Sequence, residues 1–362
     1  MTHKDVLTVG NTAALGFGAM RLPDADETAK MFDAYLEAGY NYIDTAWIYG
    51  DSEEKLGKTL VARHPRESFL LADKLPPWEV KNHRDCQKLF DTQRTRLGVD
   101  YFDFYLVHSL DDSREDSVEA MDLFGFVKQK KEAGDVRHMG FSFHGSAPYL
   151  ERVLQRHPEV EFVMLQLNYA DILAGPAGDW AALARKYNKP IIVMEPVKGG
   201  NLATLPAPAE KILKDYAPGR SIASWAIQYA ATIPGATVVL SGMSNMAQLQ
   251  DNLLTYKNHL KPLTPQEHTL LEQVLIEMSR AGGIPCTICK YCQPHCPEGI
   301  DISSCFSLYN AVKRGETKWN RSSMYNGLPK RAHHCTECGA CMSHCPQKID
   351  IVAGLKEVAA AF

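Results

Sequence analysis

The chain has 362 residues, of which 45% are apolar and 23% charged, and its formal net charge is −4. These values are typical of a soluble protein with a sizeable core, and they exclude the strongly basic balance of general nucleic-acid binders. The first residues show no secretion signal and the most apolar run, 221–232, is too short to cross a bilayer, so we expect a cytoplasmic protein without membrane or nucleic-acid partners.

Strand-like runs alternate with amphipathic helical patterns through about the first 260 residues. Several helical patterns stop at a glycine, as at Gly39, Gly98 and Gly134. Eight such units predict an α/β fold, a closed (β/α)8 TIM barrel, rather than an open doubly wound sheet. The run "LGFGAM" lacks the glycine spacing of a dinucleotide-binding Rossmann fold. The strand candidates are 13–18, 41–46, 68–74, 101–108, 136–142, 162–167, 190–196 and 236–242.

A last helix of this series is expected over about 264–283, with Thr264 as N-cap before Pro265. The pair Gly282–Gly283 then marks a boundary. We predict two domains, a barrel over 1–282 and a cysteine-dense module over 283–362.

Eight of the ten cysteines form two copies of one spaced run in this module. Each copy reads C-x2-C-x2-C-x3-C-P, the run that holds [4Fe–4S] clusters in bacterial proteins, where the fourth cysteine ligates the other cluster of a pair. The segment therefore resembles the two-cluster bacterial ferredoxins. The expected ligand sets are Cys286, Cys289, Cys292 and Cys345 for one cluster, and Cys335, Cys338, Cys341 and Cys296 for the other.

Structural zinc is the alternative, although zinc sites usually use separated C-x2-C pairs. Cys86 and Cys305 fit neither run and are expected to be buried thiols. Between the runs, the segment 313–331 carries six cations and one carboxylate. These cations would attract an acidic redox protein, compensate the negative clusters, or form only a solvated basic loop. These residues are Lys313, Arg314, Lys318, Arg321, Lys330 and Arg331 against Glu316.

Four polar residues follow successive strands of the predicted barrel. Asp44 lies at the end of the second strand candidate, Tyr49 in the next loop, Lys74 at the end of the third and His108 at the end of the fourth. Active sites of such barrels are built at the carboxyl ends of the strands. Each residue alone suits an ordinary rim position, but the four together predict an active site.

With these residues the chain resembles the aldo-keto reductase family over roughly 5–280. The resemblance rests on "LGFGAMRLP", "DTAWIYG", Lys74, His108, "GFS", Gln166 and the loop after the eighth strand. It implies an NAD(P)H-dependent oxidoreductase that reduces a carbonyl, or oxidises the alcohol, by hydride transfer.

The resemblance, carried over residue by residue, makes Tyr49 the general acid. A phenol has a pKa of about 10, so Lys74, held by Asp44, would have to stabilise the phenolate. His108 would orient the carbonyl and donate a hydrogen bond to its oxygen.

The same resemblance assigns residues to the nucleotide, NADP or NAD. Ser142 and Gln166 would bind the carboxamide, and the backbone at Gly18 and Met20 would lie by the ribose. The pyrophosphate and adenosine would lie against 197–200 and 241–252, where backbone N–H groups and a helix N-terminus suit an anion. The residues named in these two segments are Val197, Lys198, Gly200, Gly242, Ser244, Gln248 and Asn252.

Three positions depart from the family pattern. Phe143 stands where many members have Asn, and Met194 where many have an aromatic residue that stacks on the nicotinamide. No Lys or Arg occurs in 241–256 to meet a 2′-phosphate, so NADPH is only slightly favoured over NADH. The loop residues that would face the substrate or pack the rim are Trp47, Trp78, Phe143 and His144.

Two other functions stay open. A nicotinamide carries two electrons as hydride and each cluster carries one, so an electron-transfer enzyme would need a flavin or a substrate that accepts single electrons. No flavin signature is evident. A non-enzymatic adaptor is the third hypothesis, against which the intact set of four polar residues argues. We therefore predict a reductase of a small carbonyl compound whose module transfers electrons or docks a redox protein.

Overall fold

Eight parallel strands form a closed barrel in chain order, as the sequence predicts. The structure, a computed structural model, describes Leu7 and residues 13–362, so residues 1–6 and 8–12 of the predicted first domain lie outside the described residues. β8 closes on β1 through the pairing of Phe17 with Ser241. The strands are β1 (Ala14–Gly18), β2 (Tyr42–Asp44), β3 (Leu70–Leu75), β4 (Phe102–Leu110), β5 (Val136–Phe143), β6 (Phe162–Gln166), β7 (Ile191–Met194) and β8 (Ala236–Ser241).

Helices occupy most of the segments between the strands. The three predicted glycine stops are confirmed, because Gly39, Gly98 and Gly134 all have positive φ (86°, 72° and 83°). The helices are α1 (Ala25–Glu37), α2 (Ser52–Leu56), α3 (His83–Leu97), α4 (Glu115–Ala120), α5 (Leu123–Glu132), α6 (Ala147–Arg156), α7 (Tyr169–Ala174), α8 (Ala177–Lys186), α9 (Ala207–Tyr216), α10 (Ile222–Ala231), α11 (Met246–Asn258), α12 (Pro265–Ala281), α13 (Ile302–Lys313), α14 (Lys318–Asn326) and α15 (Ile351–Ala361).

Alternate strand residues build the barrel interior. Side chains along a strand point to opposite faces with a period of two, so residues of one parity share the lumen. Asp44 lies two residues after Tyr42, and Lys74 lies two residues after Ala72. Both side chains therefore point to the same face of the strands as this core. The core residues are Tyr42, Leu70, Ala72, Phe104, Leu106, Phe162, Met164, Ile192, Val238 and Leu240.

The chain divides into two compact units. One contains the eight strands and runs to Pro196, together with Ser224–Pro262; the other comprises Val197–Ala223 and Leu263–Phe362. The second unit therefore includes α9 and α12 besides the predicted module, whose boundary at 282/283 stays a prediction.

The second unit starts its long helix as predicted and packs a core around cysteines. Thr264 caps α12, because its Oγ1 accepts from Glu267 N–H (3.2 Å) while Glu267 Oε2 accepts from Thr264 N–H (2.8 Å). The module core combines apolar residues of α13 and α15 with thiols. Its members include Ile302, Phe306, Ile351, Leu355, Val358, Cys292, Cys341 and Cys345.

Within the described residues, every helix is too short or too polar to cross a membrane.

Candidate active site and cluster cavities

Lys74 is buried in the barrel with its charge paired. Its Nζ donates to Oδ1 of Asp44 (2.6 Å) and to the carbonyl oxygen of Thr45 (2.6 Å), and only 1% of the residue is exposed. Burial raises the pKa of Asp44, and the charge and hydrogen bond of Lys74 offset part of that rise. Because an unpaired buried charge is costly, the two side chains hold each other in place.

Tyr49 lies beside this ammonium, in the loop between β2 and α2. Lys74 Nζ is 4.9 Å from the centre of the Tyr49 ring. The loop is fixed by two hydrogen bonds, from Tyr49 N–H to the Ala46 carbonyl (2.9 Å) and from Ser52 Oγ to the Ala19 carbonyl (2.8 Å). The structure thus brings together three of the four predicted catalytic residues.

His108 approaches the same phenol from β4. Its imidazole meets the Tyr49 ring edge-on, with 6.3 Å between the ring centres. Burial, followed by the charge of Lys74, holds the pKa of His108 well below its usual range. The imidazole is therefore neutral at neutral pH and can donate a hydrogen bond without adding a charge to the site.

A strained residue fixes the strand end that carries His108. Ser109 has φ 54°, a region that favours glycine. Its N–H donates to Ser142 Oγ (2.7 Å), and its carbonyl oxygen accepts from Arg114 Nη1 (2.9 Å). The Arg114 guanidinium also lies over the Trp78 ring (5.0 Å), which is 5.4 Å from the His108 ring. Ser142, predicted for the carboxamide, therefore also supports His108.

A buried polar network lies behind Lys74. Gln93 Nε2 donates to Asp73 Oδ1 (2.8 Å) and to the Lys74 carbonyl (3.0 Å). Gln93 Oε1 accepts from Tyr105 OH (2.6 Å). Burial, followed by the charge of Glu53, holds the pKa of Asp73 well above its usual range. This network is not among the predictions from the sequence, although an Asp and a Tyr on the helix-facing side of apolar strands were a signal for it.

The four candidate substrate residues have different surroundings. Phe143 is fully buried against Tyr149 and Trp180, and the Trp47 ring is covered by the Arg96 guanidinium at 4.1 Å. Both side chains therefore pack against neighbouring side chains of the protein. Trp78 lies beside His108, and His144 contributes to the lowered pKa of His108.

The predicted nucleotide residues of the first unit include a close approach of β1 and β8. A Cβ at Gly18 would lie 3.5 Å from the Ser241 carbonyl oxygen and 3.6 Å from the Gly242 backbone. Asn252 Nδ2 donates to Ser241 Oγ (2.6 Å). Met20 lies in the short turn Ala19–Arg21 that follows β1.

A carboxylate lies at the N-terminus of α11. Glu27 Oε1, from α1, accepts from Met246 N–H (3.0 Å). In the same turn Asn245 caps the helix, its Oδ1 accepting from Gln248 N–H (2.9 Å), and Ser244 N–H donates to Gln248 Oε1 (2.7 Å). Glu27 is not among the nucleotide-binding residues predicted from the sequence.

Gln166 and the segment 197–200 complete the predicted nucleotide residues. Gln166 Nε2 donates to Asp171 Oδ2 (2.7 Å), so that bond holds the amide predicted to bind the carboxamide. Residues 197–200 belong to the second compact unit. Val197 precedes a short turn, Lys198–Gly200.

Two cavities in the second unit are each lined by four cysteines in the crossed sets that the sequence predicts. The empty space between the lining atoms, part of which is open to solvent, is about 330 Å³ in one and about 300 Å³ in the other. No group of three or more His, Cys, Asp or Glu side chains in the described part of the chain could hold a single metal ion. Four thiols around one space suit the [4Fe–4S] ligation that the cysteine spacing predicts. The first cavity has Cys286, Cys289, Cys292 and Cys345; the second has Cys296, Cys335, Cys338 and Cys341.

Ionising these thiols is unfavourable without a cation. Burial, followed by the charges of neighbouring cysteines, raises the pKa of Cys292, and burial raises that of Cys341 to about 11. A bound iron–sulfur group would favour the thiolates and reverse this cost. The two cysteines outside the runs are buried as predicted, and burial raises the pKa of Cys86 to about 11 and of Cys305 to about 12.

The two cysteine runs repeat one backbone shape. Ile288 and Lys290 in the first run, and Glu337 and Gly339 at the equivalent positions of the second, all have positive φ. For a β-branched residue such as Ile288 this conformation is strained, and such strain persists where the surroundings impose it. His295 and His344, each directly before a fourth cysteine, stack with 3.3 Å between ring centres.

Known proteins resemble both parts of the chain. Residues 14–276 match the aldo/keto reductase family and residues 285–349 match a 4Fe-4S dicluster domain. An uncharacterized oxidoreductase YqkF of Bacillus subtilis is 24% identical over 66% of this chain and 85% of its own. The aldo-keto reductase str7 of Strobilurus tenacellus is 32% identical over 49% of this chain and 52% of its own.

A solved structure shows the same fold. The aldo-keto reductase AKR11C1 from Bacillus halodurans, in its holo form, is 24% identical and superposes with a TM-score of 0.59 over 74% of this chain and 92% of its own. The closed barrel and the family match over most of the chain agree. The chain is therefore an oxidoreductase that belongs to the aldo/keto reductase family and carries a C-terminal 4Fe-4S dicluster domain.

Proposed function

We propose that this enzyme reduces a small carbonyl compound, or oxidises the corresponding alcohol, with a nicotinamide nucleotide. The observation that carries the proposal is the position of Lys74 Nζ, 4.9 Å from the Tyr49 ring centre and held by Asp44. A phenol beside a fixed ammonium and a neutral imidazole has the groups that carbonyl protonation requires.

The chain's own residues manage the proton and the developing charge. The nucleotide, when bound, supplies a hydride to the carbonyl carbon. Tyr49 gives its phenolic proton to the carbonyl oxygen, and the Lys74 ammonium stabilises the phenolate that remains. His108 donates a hydrogen bond to that oxygen, whose negative charge grows in the transition state. In the reverse direction the Tyr49 phenolate accepts the proton of the alcohol.

The surroundings of α11 support NADH as the preferred nucleotide. Residues 241–256 contain no Lys or Arg, and the Glu27 carboxylate accepts from Met246 N–H at the N-terminus of α11. A 2′-phosphate placed near this turn would meet a like charge, and no cation from 241–256 would balance it. The slight preference for NADPH expected from the family resemblance is thereby reversed in our proposal.

The module is proposed to hold two [4Fe–4S] clusters, one in each cavity. Their ligands would be the crossed sets of four cysteines that line the cavities. Each cluster exchanges single electrons when it is redox-active. The donor set, four thiols around each space, suits this assignment.

A Tyr49→Phe variant tests the proposed reaction. Loss of the phenolic proton should lower kcat/KM for carbonyl reduction by about 10² to 10⁴, because that is the usual contribution of general acid catalysis. The dissociation constant of NADH should stay near that of the wild type. Full turnover by this variant, measured with a panel of aldehydes and ketones, would exclude Tyr49 as the acid.

A one-electron exchange with a redox protein is a second candidate for the module. Trp319, on α14, is 80% exposed and is flanked by the cations between the cysteine runs, and Trp and Arg are frequent anchors of interfaces. Cys338 of the second run is also exposed. An acidic one-electron carrier suits this surface.

Anaerobic mixing separates the two roles of the module. If NADH alone reduces the clusters, as seen by their absorbance and electron paramagnetic resonance, the barrel and the module exchange electrons. If only a reduced flavodoxin or ferredoxin reduces them, and Trp319→Ala slows that reduction, the module accepts electrons from a docked protein. Extraction of a flavin from the purified protein would support the electron-transfer hypothesis instead of hydride transfer to a carbonyl.

A further inference from the structure

The segment predicted to bind the pyrophosphate is attached to the first cysteine run. Asn201 follows the turn Lys198–Gly200, and its Nδ2 donates both to the Lys198 carbonyl (3.0 Å) and to the Cys286 carbonyl (3.0 Å). All three residues belong to the same compact unit. One amide group therefore ties the turn to the first cysteine that lines the larger cavity.

A glycine allows the two backbones to touch at this point. Gly199 has φ 63°, and a Cβ at this position would lie 2.5 Å from both the Cα and the carbonyl oxygen of Thr287. Since the obstructing atoms are backbone, a small shift of a side chain could not relieve the overlap. Thr287 itself is 1% exposed. The contact thus requires glycine for its backbone conformation and for the close approach.

The run around Thr287 forms one wall of the first cavity. Cys286, Thr287 and Cys289 all line it. Ile288 between them has φ 57°, and its N–H donates to Cys286 Sγ (3.4 Å). Bonds from iron to Cys286 and Cys289 would hold this strained loop, and their loss would release it.

We propose that Gly199 and Asn201 are positioning residues that couple the filling of the first cluster cavity to nucleotide affinity. This inference rests on the proposed function, because it takes 197–200 as the pyrophosphate segment. With the cavity filled, the loop 286–289 holds the Lys198–Gly200 turn in one arrangement for its anion. By linkage, bound nucleotide must in turn favour the filled, ordered loop by the same factor.

The test uses the cluster-loaded protein with Asn201→Ala and Gly199→Ala. Both variants should raise the dissociation constant of NADH, measured by titration calorimetry, by about tenfold, within the usual range for coupled sites. Iron and sulfide per chain should stay at the wild-type level. Gly98→Ala is the control for backbone strain, because Gly98 also has φ 72° but no atom lies within 4 Å of its Cβ position. Thr204→Ala is the control for truncating an exposed side chain in the same segment.

A reciprocal measurement keeps the inference testable if Gly199→Ala fails to fold. Addition of NADH to the wild type should shift the electron paramagnetic resonance signal of one reduced cluster, and Asn201→Ala should abolish that shift. Unchanged nucleotide affinity in Asn201→Ala, together with an unchanged signal shift, would overturn the coupling alone. A wild type that binds neither NADH nor NADPH would overturn the proposed function as well.

Discussion

The barrel site and the cysteine-rich module differ in what completes them. In the barrel the protein balances its own buried charge, since Asp44 and the Thr45 carbonyl hold Lys74. In the module, thiols such as Cys292 and Cys341 form part of the core, and burial raises their pKa. The barrel site is therefore charge-balanced by the protein alone, whereas the buried thiols of the module become favourable thiolates only when a cationic inorganic group binds them.

The largest effect expected from this difference is the loss of iron on removing one thiol. Cys341→Ala should lose about four of eight irons per chain, because a [4Fe–4S] cluster needs all four thiolates. Cys86→Ala, which removes a buried thiol of α3, should keep all of them. Iron and acid-labile sulfide assays measure both. Equal iron in the two variants, or zinc without sulfide in the wild type, would contradict the ligand sets.

In the barrel, the corresponding substitution removes the charge of one partner in the buried Asp44–Lys74 pair. Asp44→Asn leaves the Lys74 ammonium buried against a neutral amide, and we expect the free energy of unfolding to fall by about 3–5 kcal/mol. Denaturant titration followed by a barrel signal measures this loss.

A matched pair at the surface provides the control for that loss. Asp33 bonds Arg63 at 2.6 Å, but both side chains are 44% exposed. Asp33→Asn should therefore cost less than about 1 kcal/mol. Similar losses in the two variants would show that burial does not set the strength of the Asp44–Lys74 pair.

The difference between the barrel site and the module also explains what the sequence could predict. The cysteine spacing is local, so both ligand sets could be written before any fold was known, and the strand ends placed Asp44 and Lys74 at one rim of the barrel. The network of Asp73, Gln93 and Tyr105 joins β3, α3 and β4 through side chains. No local period encodes such a meeting, and only packing brings the three together.

The grouping of 197–223 with the module was equally hidden from the sequence. It involves contacts such as Asn201 with Cys286, which are 85 residues apart. The bulge at Ser109 was hidden too, because its positive φ is imposed by Ser142 and Arg114 rather than by glycine. Tertiary contacts overrode local preference at that position.

The barrel site should also make stability depend on pH. The folded pKa of His108 lies well below its usual value of 6.5, so the unfolded chain binds a proton that the folded chain does not. Stability from this group is present above about pH 6.5 and is lost as the pH falls, by up to about 1.4 kcal/mol per pH unit.

His108→Gln isolates this contribution. The unfolding free energy of the wild type, measured from about pH 7.5 down to 5.5, should fall relative to that of the variant as the pH falls, because only the wild type loses the His108 contribution. A constant difference between the two proteins over this range would show that His108 takes up its proton equally in both states.

The smallest expected effect concerns the choice of nucleotide. We place the 2′-phosphate of NADPH near the N-terminus of α11, where the Glu27 carboxylate would repel it. Glu27→Gln should therefore improve the affinity for NADPH relative to NADH by about fivefold at low salt. The gain should shrink as ionic strength rises, since charges near the surface are screened beyond about 10 Å at 0.1 M salt.

Glu37→Gln, at the other end of α1, removes the same charge from the same helix and should leave the ratio of the two affinities unchanged. Because Glu27 also accepts from Met246 N–H, Glu27→Gln keeps an oxygen acceptor there, so a change in the ratio reports charge rather than a lost helix contact. An unchanged ratio at every salt concentration would place the 2′-position away from Glu27.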